Sequence, residues 1–118
     1  MKNEVQIASQ WWASQQENIL GVEQTQQLQQ ELEKALFQKL QNHWYENEKY
    51  RGSGYRAVSC DEYRTDEVLK SCSRSLGIDK NVKFKQATMF INPGEVIVKI
   101  GNYERIELYR NELGCVQS

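Results

Sequence analysis

Few side chains in this chain could do chemistry. His43 is the only histidine, and an imidazole that titrates near neutrality is the natural candidate for general acid–base work. No nucleophile motif accompanies it, and no Gly-x-Ser-x-Gly elbow occurs. At the end of a predicted helix it has a simpler task, bonding the last carbonyls and favouring the dipole. Asp61, Glu62, Asp66 and Glu67 cluster as divalent-metal ligands can, but their spacing matches no ligand pattern. Asp66 and Glu67 suit the first turn of a helix, so the cluster reads as a solvated acidic face. Cys60, Cys72 and Cys115 are odd in number and scattered, the pattern of reduced thiols in the cytoplasm or nucleus. Lys80, Lys83 and Lys85 make a small basic loop, able to touch RNA or an acidic partner but read as solvated charge. The residues predict no catalytic group, no metal site and no cofactor.

The informative stretch runs from His43-Trp44-Tyr45 through Tyr50-Arg51-Gly52-Ser53-Gly54-Tyr55-Arg56. Aromatics crowd against a Gly-Ser-Gly that a helix accepts only at a cost. Gly52 and Gly54 can take positive φ and let another segment come close. Tyr55 to Cys60 then reads as a strand. An aromatic hinge between a helix and a strand points to recognition rather than catalysis.

The elements that must hold this hinge follow from periodicity. With 118 residues, 39% of them hydrophobic and 26% charged, the chain reads as one soluble domain over 1–118. The net charge of −1 provides no basic field for nucleic acid, and no apolar run reaches the ~20 residues of a membrane span. Val5, Ala8, Trp12 and Ile19 predict a helix over about Glu4 to Leu20, capped by Gly21. Leu28, Leu32, Leu36 and Leu40 predict a second over about Glu23 to Trp44, paired antiparallel with the first. Thr65 is the expected N-cap of a third helix that Gly77 ends, with Val68, Leu69, Cys72 and Leu76 inward. Gln86 to Asn92 alternates, Asn92-Pro93-Gly94-Glu95 suits a type II turn, and Val96, Val98 and Ile100 alternate again. Gly101-Asn102 turns the chain into a last strand holding Ile106 and Leu108. Helices first and an antiparallel meander after them predict an α+β fold, with helices packed on a small antiparallel sheet.

Two segments resemble the signature boxes of the BTG/Tob anti-proliferative family. The first runs from His43 to Arg56, with His-Trp upstream of Gly-Ser-Gly-Tyr-Arg. The second runs from Ala87 to Gly101, with Pro93-x-Glu95-Val96 at its centre. The resemblance spans nearly the whole chain. It implies the family fold and a non-enzymatic adaptor, found in cytoplasm and nucleus. That adaptor recruits the Caf-type nuclease of the Ccr–Not deadenylase complex, promoting poly(A) tail shortening and restraining proliferation. Carried over by position, the partner-binding residues are Tyr55, Phe90, Asn92 and Glu95, while His43, Trp44, Gly52, Gly54, Arg56 and Pro93 shape the motif. Direct nucleic-acid or membrane contact is not expected.

Three positions depart from the family pattern. Phe90 replaces Trp, keeping an aromatic anchor without the indole N–H, and Asn92 replaces Asp, giving up a charge-assisted bond. The segment Asp79 to Gln86 is shorter than usual. The alternative function is therefore a module of the same fold that has lost the nuclease contact and acts by self-association or through another protein. Only Asn111 to Ser118 follow the last strand, whereas longer relatives use their tails to reach poly(A)-binding protein. A second partner is thus expected to dock on the domain itself. Tyr55 and Phe90 each have two readings, core or interface. The docking reading requires both rings on one shared rim.

Overall fold

The computed structural model describes residues 1–101 and 104–111. Helix α1 (Lys2–Ser14) leads into α2 (Glu17–Gln41), followed by a single helical turn α3 (Ser53–Arg56), strand β1 (Val58–Cys60) and helix α4 (Glu67–Ser75). Strands β2 (Ala87–Asn92), β3 (Glu95–Ile100) and β4 (Glu104–Arg110) complete the order. The four strands form one antiparallel sheet in the order β1-β2-β3-β4. The α+β expectation holds.

The leucine stripe does what its spacing requires. Leu28, Leu32, Leu36 and Leu40 are fully buried along α2 and meet Trp12 of α1, Leu69 of α4 and the inner sheet face. On that face Met89 pairs with Val98 and Ile91 with Val96, and all four are fully buried. Burying such side chains contributes about 1.5–3 kcal/mol each. Register alternation sends Thr88, Phe90, Asn92, Glu95, Ile97 and Lys99 to the opposite face. The buried Glu4 accepts from the Gly94 N–H at 2.8 Å, tying the start of α1 to the β2–β3 turn. Gly94 has φ 76°, as the third position of a type II turn requires.

Local boundaries differ from the sequence reading where distant contacts decide them. The first helix stops at Ser14, not Leu20, because Gln16 is buried and its side chain is bound to Lys83. Gly21 (φ 80°) therefore interrupts α2 instead of capping α1, and Ile19, expected inside, is exposed. Helix α2 ends at Gln41, which leaves His43 and Trp44 in the following loop. Tyr55 and Arg56 belong to the turn α3, not to a strand, and Gly54 sits inside that helical turn. Asp66, not Thr65, caps α4: its Oδ1 accepts from the Val68 N–H at 3.0 Å. Thr65 instead bridges to Cys60. Asn102 and Cys115 lie outside the described residues.

Candidate functional site

The loop from His43 to Arg56 is a chain of tight turns. Glu48 N–H bonds Tyr45 O, Arg51 N–H bonds Glu48 O, and Ser53 N–H bonds Tyr50 O. Gly52 makes the sharpest reversal, with φ 73°. A Cβ there would stand 3.3 Å from the Tyr45 ring and 3.4 Å from both Arg56 Nη1 and His43 O. Both its angle and its surroundings require glycine. A Cβ on Gly54 would meet nothing.

Arg56 gathers this loop. Its guanidinium is wholly buried and its five N–H donors have five acceptors. Nε donates to Ile91 O at 2.7 Å, and Nη1 donates to His43 O at 2.6 Å and to Arg51 O. Nη2 donates to Lys49 O at 2.9 Å and to Asn92 Oδ1 at 2.7 Å. Three of these acceptors are carbonyls of the loop and two belong to β2. One side chain thus fastens the loop to the sheet. Trp44 lies beside it, 5.6 Å from ring centre to guanidinium carbon. Burial pulls the Arg56 pKa down, while Tyr45 pulls it the other way. An arginine remains charged through such a shift.

Asn92 and Glu95 continue the network inward. Asn92 Nδ2 donates to Glu95 Oε1 at 3.2 Å, and Glu95 Oε2 meets Lys49 Nζ at 3.3 Å. The chain Arg56–Asn92–Glu95–Lys49 places one neutral amide between two buried charges. Asn92 is only 3% exposed and Glu95 4%. Of the four predicted partner-binding residues, these two are thus structural neighbours of Arg56. Lys49 was not singled out in the sequence, and nothing short of the fold would pair it with Glu95.

The rings face outward. Tyr55 is 68% exposed and stacks on His43, with ring centres 4.5 Å apart and planes 9° from parallel. His43 is therefore a platform for Tyr55. Phe90 is half-buried beneath Lys99, whose Nζ is 5.6 Å from the ring centre. A hollow of about 240 Å³ opens at Phe90, lined also by Tyr50, Ser53, Ile97, Lys99 and Arg105. Tyr50, itself 64% exposed, shares that hollow with Phe90, whereas Tyr55 stands outside its lining, so the hollow does not bring together the two rings expected on one rim. The aromatic run before Gly52 was legible in the sequence, but the pairing of Tyr50 with Phe90 was not. Pro93 is half-buried in its turn.

The remaining reactive types are accounted for locally. Asp66 is spent on its cap and on Lys39 Nζ, 3.7 Å away. Asp61 closes its own turn by accepting from the Tyr63 and Arg64 N–H groups. Cys60 and Cys72 are buried free thiols, and desolvation pushes Cys72 up to about 11. Among the described residues no group of three or more His, Cys, Asp or Glu side chains is placed to hold a metal ion. No described helix is long and apolar enough to cross a membrane.

Comparison with known proteins agrees with this architecture. The chain is 32% identical to protein Tob1 of Rattus norvegicus over 123 residues, covering 98% of this chain and 33% of that protein. It is 30% identical to a BTG family protein of Dictyostelium discoideum over 112 residues, 90% of this chain and 26% of that one. It thus spans about a quarter to a third of the length of these relatives. The solved BTG/Tob domain of C. elegans FOG-3 superimposes with a TM-score of 0.78 over 100% of this chain and 88% of that domain, at 15% identity. The family model described as BTG family matches residues 1–109. On that match the chain belongs to the BTG family.

Proposed function

We propose that this chain is a non-enzymatic adaptor of the anti-proliferative type, acting in cytoplasm and nucleus. It docks the Caf-type nuclease subunit of the Ccr–Not deadenylase complex and so regulates poly(A) tail shortening. The observation that carries the reading is the Arg56 clasp. It fixes the first-box loop against the second-box hairpin, with Tyr55, Tyr50 and Phe90 left in contact with solvent beside it. Exposed aromatics held on a rigid frame make effective interface anchors, because little ordering entropy is lost when they dock.

The test is direct binding of the purified Caf-type nuclease by calorimetry. Tyr55→Ala and Phe90→Ala should each weaken binding roughly 30-fold, the effect of losing a ~2 kcal/mol anchor. An unchanged affinity in both variants removes these rings from the contact. No binding by the wild type removes the nuclease reading altogether.

A second reading has its own observation. Asn92 stands where the family carries Asp, and it is buried and already committed to Arg56 and Glu95. If the nuclease does not bind, the same rings serve self-association or another protein. Light scattering over a range of concentrations distinguishes these, since a flat monomer signal excludes self-association.

A further inference from the structure

A second concavity, with a volume of about 780 Å³, shares no residue with the Phe90 hollow. That size lies in the range of ligand-binding clefts. Asp61, Glu62 and Asp79 line it, and so do four cations: Lys70 and Arg74 from α4, and Lys83 and Lys85 from the segment before β2. All four cations are exposed, and none of their side chains has an ion-pair or hydrogen-bond partner among the described residues.

The two pairs are held in place by different devices. Lys70 and Arg74 are four residues apart on α4, on one face and ~6 Å apart along its axis. The loop pair is fixed by the two glutamines at the α1–α2 junction. Gln16 Nε2 donates to Lys83 O at 2.8 Å, and Gln16 Oε1 accepts from Lys83 N–H at 2.9 Å. Gln15 Oε1 accepts from Lys85 N–H at 3.1 Å. Val82 and Phe84 are half-buried while Lys83 and Lys85 are exposed, the two-residue alternation of an extended segment. Like charges one helical turn apart cost stability, and an anion bound between them relieves that cost.

We propose that this cleft binds an extended acidic peptide segment of a partner protein, with carboxylates at alternate positions. In an extended chain, side chains on the same face recur every ~6.6 Å, close to the ~6 Å rise from Lys70 to Arg74. A nucleic-acid strand, the competing anionic occupant, would draw on base stacking, and the one lining aromatic among the described residues, Phe84, is half-buried against Trp12 with ring centres 6.0 Å apart. This gives the domain two docking faces, as an adaptor needs.

The test is fluorescence polarisation with a fluorescein-labelled peptide of alternating Asp and Ser, set against an oligo(A) RNA with the same label. The wild type should bind the peptide saturably, with affinity that falls as salt is raised. Lys83→Glu combined with Lys85→Glu should weaken it at least ~10-fold, and Arg74→Glu on the opposite wall should weaken it likewise. Circular dichroism melting verifies that each variant is folded, and two separate walls keep the test decisive if one variant is not. The proposal is overturned by no saturable peptide binding, by equal binding in the charge-reversed variants, or by tighter binding of the RNA. No nuclease enters the measurement, so its outcome is independent of the docking proposed for Tyr55 and Phe90.

Discussion

Arg56 Nη2 donates to Asn92 Oδ1 at 2.7 Å, and this bond joins the two signature segments of the domain across 36 positions of sequence. Asn92 relays it to Glu95, so the buried guanidinium meets its nearest carboxylate through an amide instead of directly. Arg56→Ala would strand four backbone carbonyls and the Asn92 amide oxygen around an empty volume. We expect a loss of ~3 kcal/mol or more in urea denaturation, the scale of removing one member of a buried charged network. Arg56→Lys should recover little of it, because an ammonium cannot reach five acceptors in a planar fork. A loss below ~1 kcal/mol for Arg56→Ala would show that the loop is held by other contacts.

Gly52 and Gly54 separate by the same logic, although the sequence presents them as a pair. Gly52 needs positive φ and has three neighbours at the limit of contact. Gly52→Ala should destabilise by at least ~1 kcal/mol. Gly54 is helical with open space at its Cβ, so Gly54→Ala should be neutral or stabilising by up to ~1 kcal/mol. Thermal melts of the two variants should shift in different directions. A stabilised Gly52→Ala would contradict the geometry.

The legible features were those set by neighbours in sequence. The leucine stripe of α2, the alternation of β2 and β3 and the turn at Pro93-Gly94 each carry their own period or turn chemistry, and each is where the spacing put it. The errors fall where a distant partner decides. Gln16 ends α1 early because Lys83, 67 residues on, takes its amide. Tyr55 and Arg56 curl into a helical turn because the Arg56 donors must reach the loop carbonyls and β2 together. Asn92 and Glu95 carry the polarity of surface residues and lie on the outer sheet face, yet they are buried where the loop brings Arg56 and Lys49 onto them. No local window contains those partners.

Cys72 sets a pH dependence. Burial first, with Glu31 adding to it, raises its thiol from the model-compound value of 9.0 to about 11. The folded state therefore holds this proton where the unfolded chain has released it. The stability tied to the neutral thiol is fully present below pH 9 and is lost as the pH rises towards 11. Across that window the loss amounts to roughly 2–3 kcal/mol. Lysines and tyrosines titrate in the same range, so the measurement is the difference between wild type and Cys72→Ala in urea midpoint at pH 8, 9.5 and ~11. Wild type should decline more steeply than the variant, and parallel curves would exclude Cys72 as the cause.

Asp66 decides where α4 begins, and its replacement separates the cap seen in the structure from Thr65, the cap expected from the sequence. Its Oδ1 takes the Val68 N–H at 3.0 Å, one of the donors that the first turn cannot satisfy internally. Its Oδ2 accepts from the Ser59 N–H at 3.3 Å and lies 3.7 Å from Lys39 Nζ, so the cap also binds the outer side of β1 and the end of α2. Asp66→Ala should cost about 1–2 kcal/mol, the cap accounting for about 1 of it. Asp66→Asn should recover the capping bond and lose only the ion pair, which is partly exposed and worth little. Thr65→Ala should cost less than Asp66→Ala, because the Thr65 hydroxyl makes only a long contact of 3.7 Å to Cys60 Sγ. Urea midpoints should therefore fall in the order wild type, Asp66→Asn, Asp66→Ala. A larger loss for Thr65→Ala than for Asp66→Ala would return the cap to Thr65 and start the helix one residue earlier.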